Sequence, residues 1–167
     1  MPEKSASPVS FAERVAGSQA FADLFRDGMT LVEDTAAYLD GPGRRESKKL
    51  PRSAALAYAT ESMRLTTRLM QLASWLLLHR AVKEGEMSLT QASKEKTKVK
   101  LVTGDHADEE NIFLLPERLR ILVERSKSLQ RGVRRLDATI HAPVARVGRG
   151  NPVERQLGLL RAAFEQE

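Results

Sequence analysis

Apolar residues recur at helical spacing in three long stretches of the chain. In the first, Phe21, Leu24 or Phe25, Gly28, Val32, Thr35 or Ala36, and Leu39 step by three and four. This predicts a helix capped by Ser18 and running to Leu39 or Asp40, stopped by Gly41-Pro42-Gly43 with glycine as a left-handed cap. Residues 42–50, PGRRESKKL, read as a basic linker. A second helix begins near Pro51–Ser53 and ends at Lys83 or Glu84, before Gly85. It carries two adjacent apolar stripes. One is Leu56, Ala59, Met63, Thr66, Met70, Ala73 and Leu77; the other is Ala55, Tyr58, Ser62, Leu65, Leu69, Leu72 and Leu76. Two stripes predict partners on two sides. The run Trp75, Leu76, Leu77, Leu78 is apolar in nearly every direction, which predicts deep burial or a contact between subunits.

Ser88 and Gln91 have the spacing of a capping box, so SLTQASK predicts a short helix. Residues 96–114 then read as a long loop that joins a basic stretch to the acidic DHADEE. Pro116 suits the start of a third helix. Along it Leu119, Leu122, Ser126, Leu129, Val133, Leu136 and Ile140 form a heptad seam with one polar member. Gly132 sits off that seam. PVARVGRGNP (143–152) is a linker, and Val153, Leu157, Leu160 and Phe164 mark a short amphipathic helix after it. The predicted fold class is all-α: a three-helix bundle with a long central helix, homodimeric, with flexible termini. It divides into a flexible N-terminus (1–17), the bundle (18–142), and a linker with an amphipathic tail (143–167).

Composition narrows the chemistry. The chain of 167 residues has no cysteine, which excludes disulfides and thiolate metal sites. No apolar run approaches the length of a membrane span, and the first 17 residues lack the apolar core of a secretory signal. A cytoplasmic protein is expected. The net charge of +5 comes from 27 basic and 22 acidic side chains, interspersed rather than gathered into an arm.

Catalytic spacings are missing. There is no Gly-x-Ser-x-Gly elbow, no phosphate-binding glycine loop, and no Glu-x-x-His pair. The three histidines lie far apart. His79 reads as a packed histidine because no second ligand is spaced to join it. His106 reads as an exposed loop residue, and His141 as a partner of the third helix's C-terminal dipole. No enzymatic activity, cofactor or metal is expected. Glu61 with Arg64 or Arg68 on the second helix, and Glu33 and Asp34 on the first, could form polar contacts in the bundle and read as members of surface or edge salt bridges. The third helix carries Arg118, Arg120, Arg125, Lys127, Arg131, Arg134 and Arg135, which could touch phosphates. Glu117, Glu124 and Asp137 interrupt them, and most lie opposite the leucine seam, where a solvated face belongs. Nucleic-acid binding is therefore not expected, and a DNA-associated helical dimer acting in transcriptional regulation is the alternative reading.

The segments LVEDTAAYLDGPGR (31–44), LAYATESMRLTTRLMQLASWLLLHRAVKEGEMS (56–88) and FLLPERLRILVERSKSLQRGVRRLD (113–137) resemble the alphaproteobacterial family of the regulator of CtrA degradation. The resemblance implies a homodimeric adaptor in cell-cycle proteolysis. Such an adaptor connects the ClpXP protease, already primed by another adaptor, to protein substrates or further adaptors, with a CtrA-type response regulator as the namesake substrate. Adaptors act by raising effective concentration, which needs no catalytic group. From the apolar run itself, Trp75, Leu76, Leu77 and Leu78 are expected to form the dimer interface. Lys94, Lys96, Lys98 and Lys100 in the 94–112 loop, with Leu157, Leu160 and Phe164 in the tail, carry partner contacts.

Overall fold

The structure is a computed structural model; it describes residues 18–96 and 109–141. Those residues are helical, with no strand among them. The helices are α1 (Gln19–Asp40), α2 (Pro42–Ser47), α3 (Arg52–Lys83), α4 (Leu89–Lys96), α5 (Glu109–Ile112) and α6 (Glu117–Ile140). α3 has 32 residues and spans about 48 Å. The three long helices α1, α3 and α6 each pack against the other two, while α4 and α5 lie against α3.

Local chemistry sets the boundaries. Ser18 Oγ accepts the Phe21 N–H at 3.4 Å and caps α1 as expected. At the end of α3, the Glu86 N–H donates to the Ala81 carbonyl (3.0 Å) and the Gly85 N–H to that of Val82 (3.1 Å). This is a Schellman closure, and Gly85 takes the positive φ of 76° that it requires. Gly41 does not adopt the left-handed conformation expected of it; its φ is −116°. The chain turns there without leaving the helical region for long. Residues 42–47, read as a linker, form α2 with Pro42 in its first turn. Tyr38 O–H donates to Glu46 Oε2 at 2.7 Å and ties α2 back onto α1.

The core lies along the axis between the three long helices. Every member of the α6 seam is buried: Leu119, Leu122, Ser126, Leu129, Val133, Leu136 and Ile140. α3 contributes Leu65, Leu69, Leu72, Trp75 and Leu76. α1 contributes Phe21, Leu31 and Tyr38, so its buried stripe drifts by one residue from Val32 and Leu39, which are half-buried. Gly28 allows the closest approach of helices. A β-carbon there would lie 2.5 Å from Leu76 Cδ1 and 3.4 Å from Leu129 Cδ2. Gly132, off the seam, faces Leu24 of α1 in the same way, at 2.8 Å.

Buried polar groups interrupt the core midway. Glu61 and Arg68, expected at the surface or edge, are both buried. Arg68 Nη1 donates to Ser126 Oγ at 2.8 Å, and Ser126 in turn donates to the Val123 carbonyl at 2.7 Å. Glu61 Oε1 accepts from Arg64 at 2.8 Å. Burial pushes the Arg68 guanidinium below its ordinary pKa, and Glu61 is the foremost charge opposing that. Ser126, the polar member of the leucine seam, is thus the partner that a buried arginine needs. At the rim, Asp34 pairs with Arg125 at 2.7 Å across α1 and α6.

Candidate functional site

The two stripes of α3 have different fates. The stripe through Leu65, Leu69, Leu72 and Leu76 faces the core. The other leaves Leu56, Met63, Met70 and Leu77 more than half exposed, although they recur every seven residues. From Leu56 to Leu77 this line covers about 32 Å of helix. The exposed positions of α3 between Ser53 and Leu77 carry no charge. The three charged residues of that stretch, Glu61, Arg64 and Arg68, are buried or half-buried. An uncharged, methionine-rich strip of this length is a surface of the kind that partners cover.

The run Trp75–Leu78 divides accordingly. Trp75 and Leu76 are buried in the chain's own core, at 2% and 0% exposure, so neither can line a contact between subunits. Leu77 is 53% exposed and belongs to the strip; Leu78 is half-buried. A second apolar patch comes from Phe113, Leu114 and Ile121, all exposed, near the start of α6. Beside Ile121, a cavity of about 440 Å³ opens between α1 and α6, lined by Asp34, Tyr38, Pro42, Arg118 and Arg125.

Of the lysines assigned to partner contact, Lys94 is exposed on α4. Lys96 turns inward, where its ammonium pairs with Asp137 of α6. Lys98, Lys100, Leu157, Leu160 and Phe164 lie outside the described residues, as does His106. On α6, Arg118, Arg125, Arg131, Arg134 and Arg135 are exposed, and Arg120 and Lys127 are half-buried. This is the solvated face read from the sequence. Several of its cations are engaged: Arg125 with Asp34, Lys127 with Glu124 at 3.6 Å, and Arg118 over the Tyr38 ring at 5.4 Å.

The structure also gathers groups that spacing alone kept apart. The Ser88–Gln91 capping box forms reciprocally, at 3.0 and 3.1 Å, and starts α4 back along α3. This return brings Ser93 and Lys96 over the end of α3, where His79 is fully buried. His141, the C-cap of α6, arrives at the same point. The Nε2 atoms of His79 and His141 are 2.9 Å apart. Trp75 Nε1–H donates to Asp137 Oδ1 at 2.8 Å, and the indole stacks on His79 with ring centroids 4.0 Å apart. His79 therefore has a polar neighbour 62 residues away, contrary to the reading of a histidine that nothing joins. Burial pushes both imidazoles below the ordinary histidine pKa.

Fold and surface define an all-helical protein with an open, uncharged face along its longest helix. No helix of the described residues is long and apolar enough to cross a membrane. The chain belongs to the family described as protein of unknown function (DUF1465), whose model matches residues 12–164. It is similar to RcdA from Caulobacter crescentus CB15, known from a crystal structure, at 48% sequence identity and a TM-score of 0.64. The match covers 78% of this chain and 98% of that one. The chain is thus RcdA-like, as the three segments indicated. No curated protein matches it.

Proposed function

We propose that this protein is a non-enzymatic adaptor in regulated proteolysis, which brings a response regulator of the CtrA type, or a further adaptor, to a primed ClpXP protease. The likeness to RcdA over nearly all of that chain carries the reading. The uncharged strip on α3 supports the protein-interaction part of it, since an extended exposed patch of large apolar side chains marks a contact surface. The working form is a three-helix bundle paired with a second copy through Leu56, Met63, Met70 and Leu77. Seven-residue spacing lets two α3 helices lie side by side along their length. The 94–112 stretch, with Lys98 and Lys100, and the tail residues Leu157, Leu160 and Phe164 serve the protease, its primer or the cargo.

The test is reconstituted degradation of the response regulator by ClpXP with its primer adaptor. Adding this protein should raise the rate severalfold, saturating near stoichiometry with the primer. An unchanged rate, with no capture of ClpX or primer on the immobilised protein, refutes the adaptor reading. Removing residues 143–167 should lower delivery while leaving the melting temperature within about 2 °C; a larger fall in stability would assign the tail to the fold.

A further inference from the structure

The polar cluster at the end of α3 has the donor set of a metal site. His79 Nδ1 lies 2.9 Å from the Trp75 carbonyl oxygen. A carbonyl only accepts, so Nδ1 carries the ring proton and Nε2 presents a lone pair. That lone pair points at His141 Nε2, 2.9 Å away. Asp137, one turn before His141, places Oδ1 3.6 Å from the same nitrogen. One ligand atom from each of the three residues can be chosen so that all lie within 4.8 Å of one another.

We propose that His79 Nε2, His141 Nε2 and the Asp137 carboxylate bind one divalent metal ion of the zinc class, at the junction of α3, α4 and α6. Two imidazoles and a carboxylate suit zinc better than magnesium or calcium, which prefer oxygen alone. Three protein ligands leave a fourth tetrahedral position for water or for a group from a bound partner. At ordinary zinc–nitrogen lengths the two Nε2 atoms need a separation of about 3.3 Å, so they must part by a few tenths of an ångström.

The surrounding groups fit this role. Metal-binding imidazoles need their second nitrogen held. The Trp75 carbonyl does this for His79, and Ser93 Oγ lies 3.0 Å from His141 Nδ1. The indole N–H of Trp75 orients Asp137. Without metal the cluster closes as a hydrogen-bond chain. Ser93 O–H donates to His141 Nδ1, His141 Nε2–H donates to His79 Nε2, and His79 Nδ1–H donates to the carbonyl. Metal takes the place of the proton between the two Nε2 atoms. That proton moves to His141 Nδ1, and the Ser93 hydroxyl turns from donor to acceptor, as a hydroxyl can. Metal binding needs both rings in the neutral form. The Lys96 ammonium must leave Asp137 for water, which its 28% exposed side chain can reach.

Asp137 and His141 close α6, just before the linker and tail of residues 143–167. Ser93 and Lys96 lie in the last turn of α4, at the start of the 94–112 stretch. A metal here would clamp the roots of the two segments assigned to partner contact. The inference does not depend on the adaptor reading, because its test reads metal and stability alone.

The test uses the full chain, free of any affinity tag and stripped with chelator, titrated calorimetrically with zinc chloride. One equivalent per chain should bind, and zinc should raise the melting temperature by about 5 °C or more. Cobalt should give the visible absorption of a tetrahedral nitrogen–oxygen site. His141→Gln and Asp137→Asn, at partly exposed positions, should each weaken zinc at least tenfold while circular dichroism remains native. His79→Gln should abolish binding, and His106→Gln should leave it unchanged. Substoichiometric zinc, or an affinity that His141→Gln and Asp137→Asn leave intact, overturns the proposal.

Discussion

Replacing Arg68 by methionine would remove a buried cation and keep the length of its aliphatic stem. Arg68 is 5% exposed and Glu61 is 3% exposed, one heptad apart on the inward side of α3. After the change, Glu61 keeps Arg64 on Oε1 at 2.8 Å, while Oε2 already lacks a hydrogen-bond partner among the described residues. A buried carboxylate is then left with one half-exposed counter-charge. Breaking a buried pair from one side costs about 3–5 kcal/mol. The surviving Arg64 contact sets the expectation at the lower end, about 3 kcal/mol. For a chain of this size that lowers the melting temperature by about 6–12 °C. Ser126 loses its donor but still donates to the Val123 carbonyl, so it adds little to the cost. Glu61→Leu alone should cost a similar amount by removing the foremost charge that favours the buried Arg68 cation. The double variant, with both charges replaced by apolar groups, should lose less than about 1 kcal/mol. Urea unfolding followed by circular dichroism at 222 nm yields the coupling from the four proteins. Additive losses in the double variant, or an Arg68→Met protein within 1 kcal/mol of wild type, would refute the buried-pair account.

Met70→Asp should halve the mass measured by light scattering while leaving the melting temperature within a few degrees, because Met70 is exposed in the single chain; a wild-type protein of monomer mass would refute pairing through α3. Gly28→Ala gains about 1 kcal/mol of helix propensity but places a methyl 2.5 Å from Leu76 Cδ1. Overpacking costs about 1–3 kcal/mol, so denaturant midpoints should show a net loss. Both tyrosines have raised pKa values, Tyr38 through burial first and then its bond to Glu46, Tyr58 through burial. The folded chain keeps phenolic protons that the unfolded chain releases near pH 10. Stability from this source is present below pH 10 and is lost as the pH rises above it. Absorbance at 295 nm should therefore show less tyrosinate in the native protein at pH 10 than the half-titration found in urea.

The seam of α6 was fully legible because its 3-4 steps leave one inward direction and one polar member. On α3 the sequence offered two equivalent stripes, and periodicity does not say which one faces the core. That choice belongs to Gly28, whose missing side chain brings α1 down onto Leu76 rather than Leu77. Residues 42–47 hid as a linker because a six-residue helix has almost no period. Proline in its first turn was the available sign, and the Tyr38–Glu46 bond that holds it is a tertiary contact. Arg68 looked like a surface charge because its partner, Ser126, sits on another helix, 58 residues further along the chain. His79 and His141 were separable only by assuming that distance along the chain meant distance in space. The Ser88–Gln91 box, which was read correctly, is the turn that brings α4 over them, but no spacing rule extends it to His141.

The chain has a single tryptophan, and Trp75 is stacked on His79 while its indole N–H is held by Asp137. The protein thus carries its own optical probe, placed where three helices end rather than at the exposed strip. Light emitted by Trp75 will respond to what happens at its neighbouring imidazole and carboxylate. It should stay indifferent to pairing along Leu56–Leu77, apart from global unfolding. A partner that engages the 94–112 stretch or the 143–167 tail can be followed by fluorescence without any label. A partner that covers the strip needs one attached, and comparing the two readouts assigns each binding event to one end or one side of the molecule.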